Sequence, residues 1–139
     1  IDAYLVVVCG SNESLKEKLE KIDNKNLIVK GFINNMSEYM KASTIVISKP
    51  GGVTTTEVAE LRKPLILMMP IPGVEDYNMK FFLNNQMCLK ATNVSDLVVQ
   101  SKKLLASKTL QDAIIKNQEE NIKTYSAKAL VEFVLNQKK

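Results

Sequence analysis

The chain has 139 residues, the size of one domain, with 45% hydrophobic and 24% charged residues, a balance ordinary for a soluble globular protein. Net charge is +4, too mild and too dispersed for a nucleic-acid stripe, though it suits approach to anionic substrates or membrane surfaces. There is no histidine and there are only 2 cysteines, which excludes a Ser–His or Cys–His dyad, a histidine metal site and a disulfide framework.

The opening Ile1-Asp2-Ala3-Tyr4 has no Met and runs directly into a strand, as expected of a cut inside a longer protein. Residues 4–9, Tyr-Leu-Val-Val-Val-Cys, form a continuous apolar run, the pattern of a strand buried on both faces. Gly10-Ser11-Asn12 breaks it, and residues 13–22 place Leu15, Leu19 and Ile22 at helical spacing. Leu27-Ile28-Val29 predicts a second strand ending at Gly31. Asn35-Met36-Ser37-Glu38 has a helix-start pattern, a capping Asn with Glu three residues on. Thr44-Ile45-Val46-Ile47 predicts a third strand. Ser48-Lys49-Pro50-Gly51-Gly52 is a sharp break before a helix over 54–61.

Pro64 opens a fourth strand, Leu65-Ile66-Leu67-Met68-Met69. The loop Pro70-Ile71-Pro72-Gly73 then leads to a helix over 75–85. Met87-Cys88-Leu89 predicts a short fifth strand. Residues 95–105 and 110–137 predict helices, the second broken near Ser126. Strands alternating with helices imply an α/β fold: a Rossmann-like parallel sheet of about five to six strands with helices on both faces. Cys9 and Cys88 lie in apolar segments and are expected as free thiols in a reducing cytoplasm. No apolar run reaches the roughly 18 residues of a spanning helix, and no signal peptide is visible.

Ligands of such sheets bind beyond the carboxyl ends of the strands. Three loops fall there: Gly10-Ser11-Asn12, residues 48–54, and residues 70–76. Gly51 and Gly52 allow close backbone approach and precede a helix N-terminus, where free N–H groups and the dipole favour an anion such as a diphosphate. Glu57, one turn in, is suited to a ribose diol. Thr54-x-x-Glu57 also reads as a capping box, with the glycines as a tight turn only. Lys49 is either a solvated side chain and loop anchor or a phosphate ligand. Glu75 and Asp76 suit sugar hydroxyls and equally suit the start of a helix. Asn78 has no local capping task and is either a supporting residue or solvent-exposed. Gly10-Ser11-Asn12-Glu13-Ser14 lacks the further glycines of a dinucleotide fingerprint, and no Walker A sequence occurs.

The ordered set Val8-Cys9-Gly10-Ser11-Asn12, Val29-Lys30-Gly31-Phe32, Asn35-Met36, Tyr39-Met40, residues 48–57, Lys63-Pro64, and Pro70-Ile71-Pro72-Gly73 with Glu75 and Asn78 spans most of residues 4–90. It resembles the carboxyl-terminal domain of a GT-B glycosyltransferase family. That family holds the diacylglycerol glycosyltransferases of monogalactosyldiacylglycerol synthase type and the N-acetylglucosaminyltransferase of the peptidoglycan lipid intermediate. The resemblance implies that residues 1–139 are a nucleotide-sugar donor domain. It places uracil near Gly31 and Phe32, diphosphate at Gly51, Gly52, Val53 and Thr54, and ribose on Glu57. Gly73, Val74, Glu75 and Asn78 are placed near the donor sugar, and Gly10, Ser11 and Asn12 on the cleft floor. Catalytic residues stay unknown, because the resemblance puts the general base and the lipid-acceptor surface in an amino-terminal domain that this chain does not contain.

The implied reaction is inverting hexosyl transfer from a UDP-sugar to a membrane lipid such as diacylglycerol. No cofactor and no tightly bound metal are expected, nor any nucleic-acid partner. The whole protein is expected to be cytoplasmic, peripheral on the inner face of the cell membrane, and the fragment alone inactive. The alternatives are transfer of N-acetylglucosamine to the peptidoglycan lipid intermediate and a non-catalytic nucleotide-sugar-binding subunit of a split transferase. A sugar-nucleotide epimerase is disfavoured by the lack of histidine. Val74 stands where members of that family carry Gln, which leaves the donor sugar open. Thr44 replaces a common Asp, and Gln86-Met87 replaces a glycine-containing turn.

Overall fold

The computed structural model describes residues 3–124 and 126–137. Ile1 and Asp2, from the expected cut end, and Tyr125, inside the predicted long terminal helix, lie outside the described residues. The chain divides between Tyr39 and Met40 into two compact units.

The first unit holds β1 (Leu5–Val8), α1 (Glu13–Glu20) and β2 (Leu27–Lys30). The two strands pair in parallel, Leu5 opposite Leu27 through Val8 opposite Lys30. Asn12 caps α1 by accepting from the Leu15 N–H at 3.0 Å, and Lys16 bridges Glu20 at 3.2 Å across one exposed turn. Burial of β1 on both faces is not what the structure shows. Leu5 is 53% and Val6 40% exposed. Among the described residues β1 has a ladder partner on one side only, so apolar composition alone leaves it half covered. Ile22 likewise falls beyond α1 and is exposed.

Helix α2 (Met36–Ala42) spans the division, and Asn35 precedes it, its amide donating to Glu38 at 2.7 Å. The second unit continues with β3 (Val46–Ser48), α3 (Gly52–Glu60), β4 (Leu65–Met68), α4 (Val74–Asn84), β5 (Leu89–Ala91), α5 (Val94–Ala106), α6 (Lys108–Asn121) and α7 (Ser126–Asn136). Its strands form a parallel sheet in the order β3-β4-β5. The described strands number five, at the lower end of the five to six expected, two pairing in the first unit and three in the second.

The central strand β4 shows why helices cover both faces. Alternate side chains of a strand point to opposite sides. Leu65 and Leu67 join Val58 and Ala59 of α3 and Met79 and Phe82 of α4 in one core. Ile66 joins Ala91, Leu104 of α5 and Ile114 of α6 in the other. Leu65, Ile66, Leu67 and Leu104 are 0% exposed, each contributing about 1.5–3 kcal/mol by leaving water. Gln118 of α6 is also fully buried and ties the sheet's lower end, donating to the carbonyls of Lys63 at 2.9 Å and Met87 at 3.1 Å.

The fifth strand starts two residues later than its apolar pattern suggests. Gln86 takes a left-handed φ of 52°, and Met87 N–H then returns to the Phe82 carbonyl, so Met87 and Cys88 are buried in the turn before the strand. The break expected near Ser126 is present, between α6 and α7. On α7, Leu130, Val131, Phe133, Val134 and Leu135 are all exposed.

Candidate functional site

Helix α3 begins at Gly52, two residues before the sequence pattern suggests, with Gly51 as its N-cap. Thr54 thus lies inside the first turn, and the capping-box reading of Thr54 with Glu57 does not hold. Gly51 has no side chain to cap with, and the helix has no side-chain cap. The first intrahelical bond is Thr55 N–H to the Gly51 carbonyl at 3.0 Å. The N–H groups of Gly52, Val53 and Thr54 precede it and meet no acceptor among the described residues. A helix start left open in this way leaves N–H donors unpaired where the helix dipole is positive, an environment that favours negative charge.

The donors are held by a frame that the sequence does not advertise. Thr55, 1% exposed, donates its hydroxyl to the Gly51 carbonyl at 2.8 Å, and Thr56 does the same to the Gly52 carbonyl at 2.8 Å. The three-threonine run was the available signal. Pro50 is fully buried, and its carbonyl accepts from Asn78 Nδ2 of α4 at 3.0 Å. Lys49 is exposed.

The second loop supplies α4. Gly73, at φ 90°, is its N-cap in a conformation that side chains rarely adopt. Both acids of its first turn are occupied by their own loop. Glu75 Oε2 accepts from Ile71 N–H at 2.6 Å, and Asp76 Oδ2 from Gly73 N–H at 2.9 Å. The helix-start reading of these two acids is therefore met. The other carboxylate oxygen of Glu75 faces Gly51, 3.9 Å from where a Cβ would stand. Asn78 is half-buried, with its amide tied to the Pro50 carbonyl.

The second unit therefore brings Gly51, Gly52, Val53, Thr54, Glu75 and Asn78 together at the carboxyl ends of β3 and β4. Glu57 is exposed on α3, Val53 is 75% exposed and Val74 80% exposed. In the first unit, Phe32 is 80% exposed after β2, and a Cβ on Gly31 would touch Lys16 of α1 at 3.4 Å. Gly10 takes a left-handed φ of 57° after β1, Ser11 is exposed, and Asn12 is engaged as the α1 cap.

Among the described residues no three His, Cys, Asp or Glu side chains are grouped to hold a metal ion. No described helix is long and apolar enough to cross a membrane. Both cysteines are free, and burial pushes the Cys88 thiol up to about 12.

Against known proteins, the family model described as the glycosyltransferase family 28 C-terminal domain matches residues 2–138. A processive diacylglycerol beta-glucosyltransferase of Bacillus cereus (strain AH187) is 36% identical over 107 residues, covering 75% of this chain and 28% of that protein. Proteins of the same name from Bacillus thuringiensis (strain Al Hakam) and Bacillus anthracis (strain CDC 684 / NRRL 3495) give the same identity and the same coverage of both chains. The chain thus spans little more than a quarter of the length of these relatives.

Proposed function

The chain belongs to the family of glycosyltransferase family 28 C-terminal domains, and from that premise we propose that it is the donor-binding domain of a UDP-sugar glycosyltransferase that transfers a hexose to diacylglycerol. The observation that carries the reading is the open start of α3. A glycine N-cap and three unpartnered N–H groups offer a diphosphate what water would otherwise give it. As UDP departs, negative charge grows on its β-phosphate, and fixed amide donors stabilise that charge without reorganising.

Glu57, exposed one turn along the same helix, accepts from the ribose hydroxyls. Glu75, through its second oxygen, Asn78 and the loop at Gly73 and Val74 border the hexose. Separately, the exposed Phe32 and the backbone at Gly31 take the uracil, and Gly10, Ser11 and Asn12 line the cleft floor. The general base and the lipid surface belong to the remainder of a protein of the relatives' length, which acts from the cytoplasmic side of a membrane. A beta product from an alpha-linked nucleotide sugar requires inversion, hence a single displacement. No metal or cofactor takes part. The names of the relatives favour diacylglycerol over the peptidoglycan lipid intermediate.

The test is calorimetric titration of UDP and UDP-glucose into the full-length protein, beside Glu57→Ala. Saturable binding, weakened by about 1–3 kcal/mol in the variant as for loss of a charged hydrogen-bond partner, is expected. Failure of the wild-type protein to bind UDP at millimolar concentration rejects the reading.

A further inference from the structure

We infer that the loop between β4 and α4 carries part of the acceptor site: Met69 and Ile71 form an apolar rest for the hydrocarbon chains of an uncharged lipid whose hydroxyl meets the donor sugar. This rests on the donor-domain reading above and adds a lipid contact on the donor domain itself.

The polarity of this loop is reversed. Met69 and Ile71 are 61% and 51% exposed, and Val74 and Tyr77 at the start of α4 are more exposed still. The charged residues among them, Glu75 and Asp76, are only half-buried neighbours of the loop backbone. Both acids are engaged there, accepting from the Ile71 and Gly73 N–H groups. Residues 69–74 carry no charged side chain. Apolar groups thus face outward while the adjacent carboxylates are tied down, the opposite of an ordinary water-facing loop.

Met69 adds an independent sign. It stands at φ 51° without being glycine, a conformation that disfavours any residue with a Cβ and clusters at ligand sites. Arg62 and Gln86 share it in turns that lead into β4 and β5. Met69 instead leaves β4, at the sheet end where ligands of such folds bind.

Position and charge choose the occupant. The loop runs straight into Gly73, Val74 and Glu75, which border the hexose on the reading above, so a molecule that accepts the sugar passes beside it. Single displacement needs the acceptor hydroxyl at the anomeric carbon. In diacylglycerol the chains begin one ester link from the glycerol that carries this hydroxyl. The molecule is uncharged, as the loop face is, and it is the lipid in the relatives' name. Each methylene laid on such a surface is worth about fourfold in binding.

The test measures transfer by the full-length protein to dihexanoyl-, dioctanoyl- and didecanoylglycerol in mixed micelles of one detergent. The micelle's own preference for longer chains is common to all variants, so the ratio to wild type reads the protein. Met69→Gln and Ile71→Asn exchange apolar for polar side chains of similar size, and Gln86 shows that Gln tolerates this backbone. The expected result is a loss in acceptor kcat/KM that grows with chain length, reaching about tenfold for didecanoylglycerol, the scale of one or two buried methylenes. UDP affinity by calorimetry, KM for UDP-glucose and the unfolding temperature are expected to stay unchanged. Met69→Leu and Ile71→Leu, which remain apolar, are expected to stay within about twofold of wild type.

A loss equal at every chain length overturns the inference: with weakened UDP binding it means a disturbed donor site, and with reduced pelleting on neutral phospholipid vesicles it means a general membrane contact. A lowered unfolding temperature without a chain-length effect overturns it in favour of burial against the rest of the protein, and unchanged kinetics overturn it outright. Wild-type protein that binds UDP but transfers to none of the three lipids overturns the acceptor assignment alone. If it binds no UDP, the donor-domain reading fails first and takes this inference with it.

Discussion

Among the described residues Arg62, Met69 and Gln86 take left-handed backbone without being glycine, and Gly10 and Gly73 take it as glycines; substitution at three of these has a measurable consequence. Gln86 adopts φ 52° without being glycine, at the place where the sequence departs from a glycine-containing turn. Left-handed backbone costs a residue with a Cβ about 1–2 kcal/mol, and glycine returns part of that as chain entropy. Gln86→Gly is expected to raise stability by up to about 1 kcal/mol in denaturant titration. Gly73, at φ 90°, has the opposite expectation: Gly73→Ala lowers stability by about 1–3 kcal/mol and disturbs the α4 start. Gly10, at φ 57° with open space where its Cβ would stand, carries backbone strain alone if substituted.

Cys88 adds a pH dependence. Its folded pKa is pushed above the unfolded value to about 12 by desolvation. The contribution is complete below the unfolded pKa and is lost as pH rises toward 12, because the unfolded chain gives up the proton first. Stability is expected to fall over that alkaline window, and less so in Cys88→Ala. The native thiol is also expected to resist alkylation at pH 8 until the protein unfolds.

At the scale of elements, helices and strands were legible because their periods differ, and the buried run Leu65-Ile66-Leu67 marked the central strand unambiguously. Two features were not legible. The start of α3 was hidden because a glycine pair reads as loop, while an N-cap and first helical residue tolerate glycine at little cost. The pairing of strands within each unit depends on which strands find each other in space, and local pattern is silent on that. The same holds for the candidate site. Its glycines and Glu57 stand out in sequence, but the Asn78–Pro50 bond joins residues 28 apart and only packing reveals it. The helix pair α5 and α6 anchors the second core through Leu104 and Ile114. Leu104→Ala is expected to cost about 2–5 kcal/mol in chemical unfolding, the range for emptying a filled aliphatic site.

For the whole molecule, the open start of α3 has a consequence, on the proposed donor-domain reading, for how a nucleotide would be gripped as conditions change. Its donors are backbone amides, which have no proton to lose in the range where the protein is folded. A site built from lysine or histidine side chains would change its own charge with the buffer, and this chain has no histidine at all. The grip therefore follows the ionisation of the ligand, whose terminal phosphate loses its second proton near pH about 6. UDP affinity of the full-length protein is expected to stay flat from about pH 7 to 8.5 and to weaken only below the phosphate transition. A steep dependence between pH 7 and 8.5 would assign the grip to a titrating side chain instead of the amides. Flat behaviour would mean that, on the proposed donor-domain reading, nucleotide binding by the α3 amides does not itself sense pH over that range.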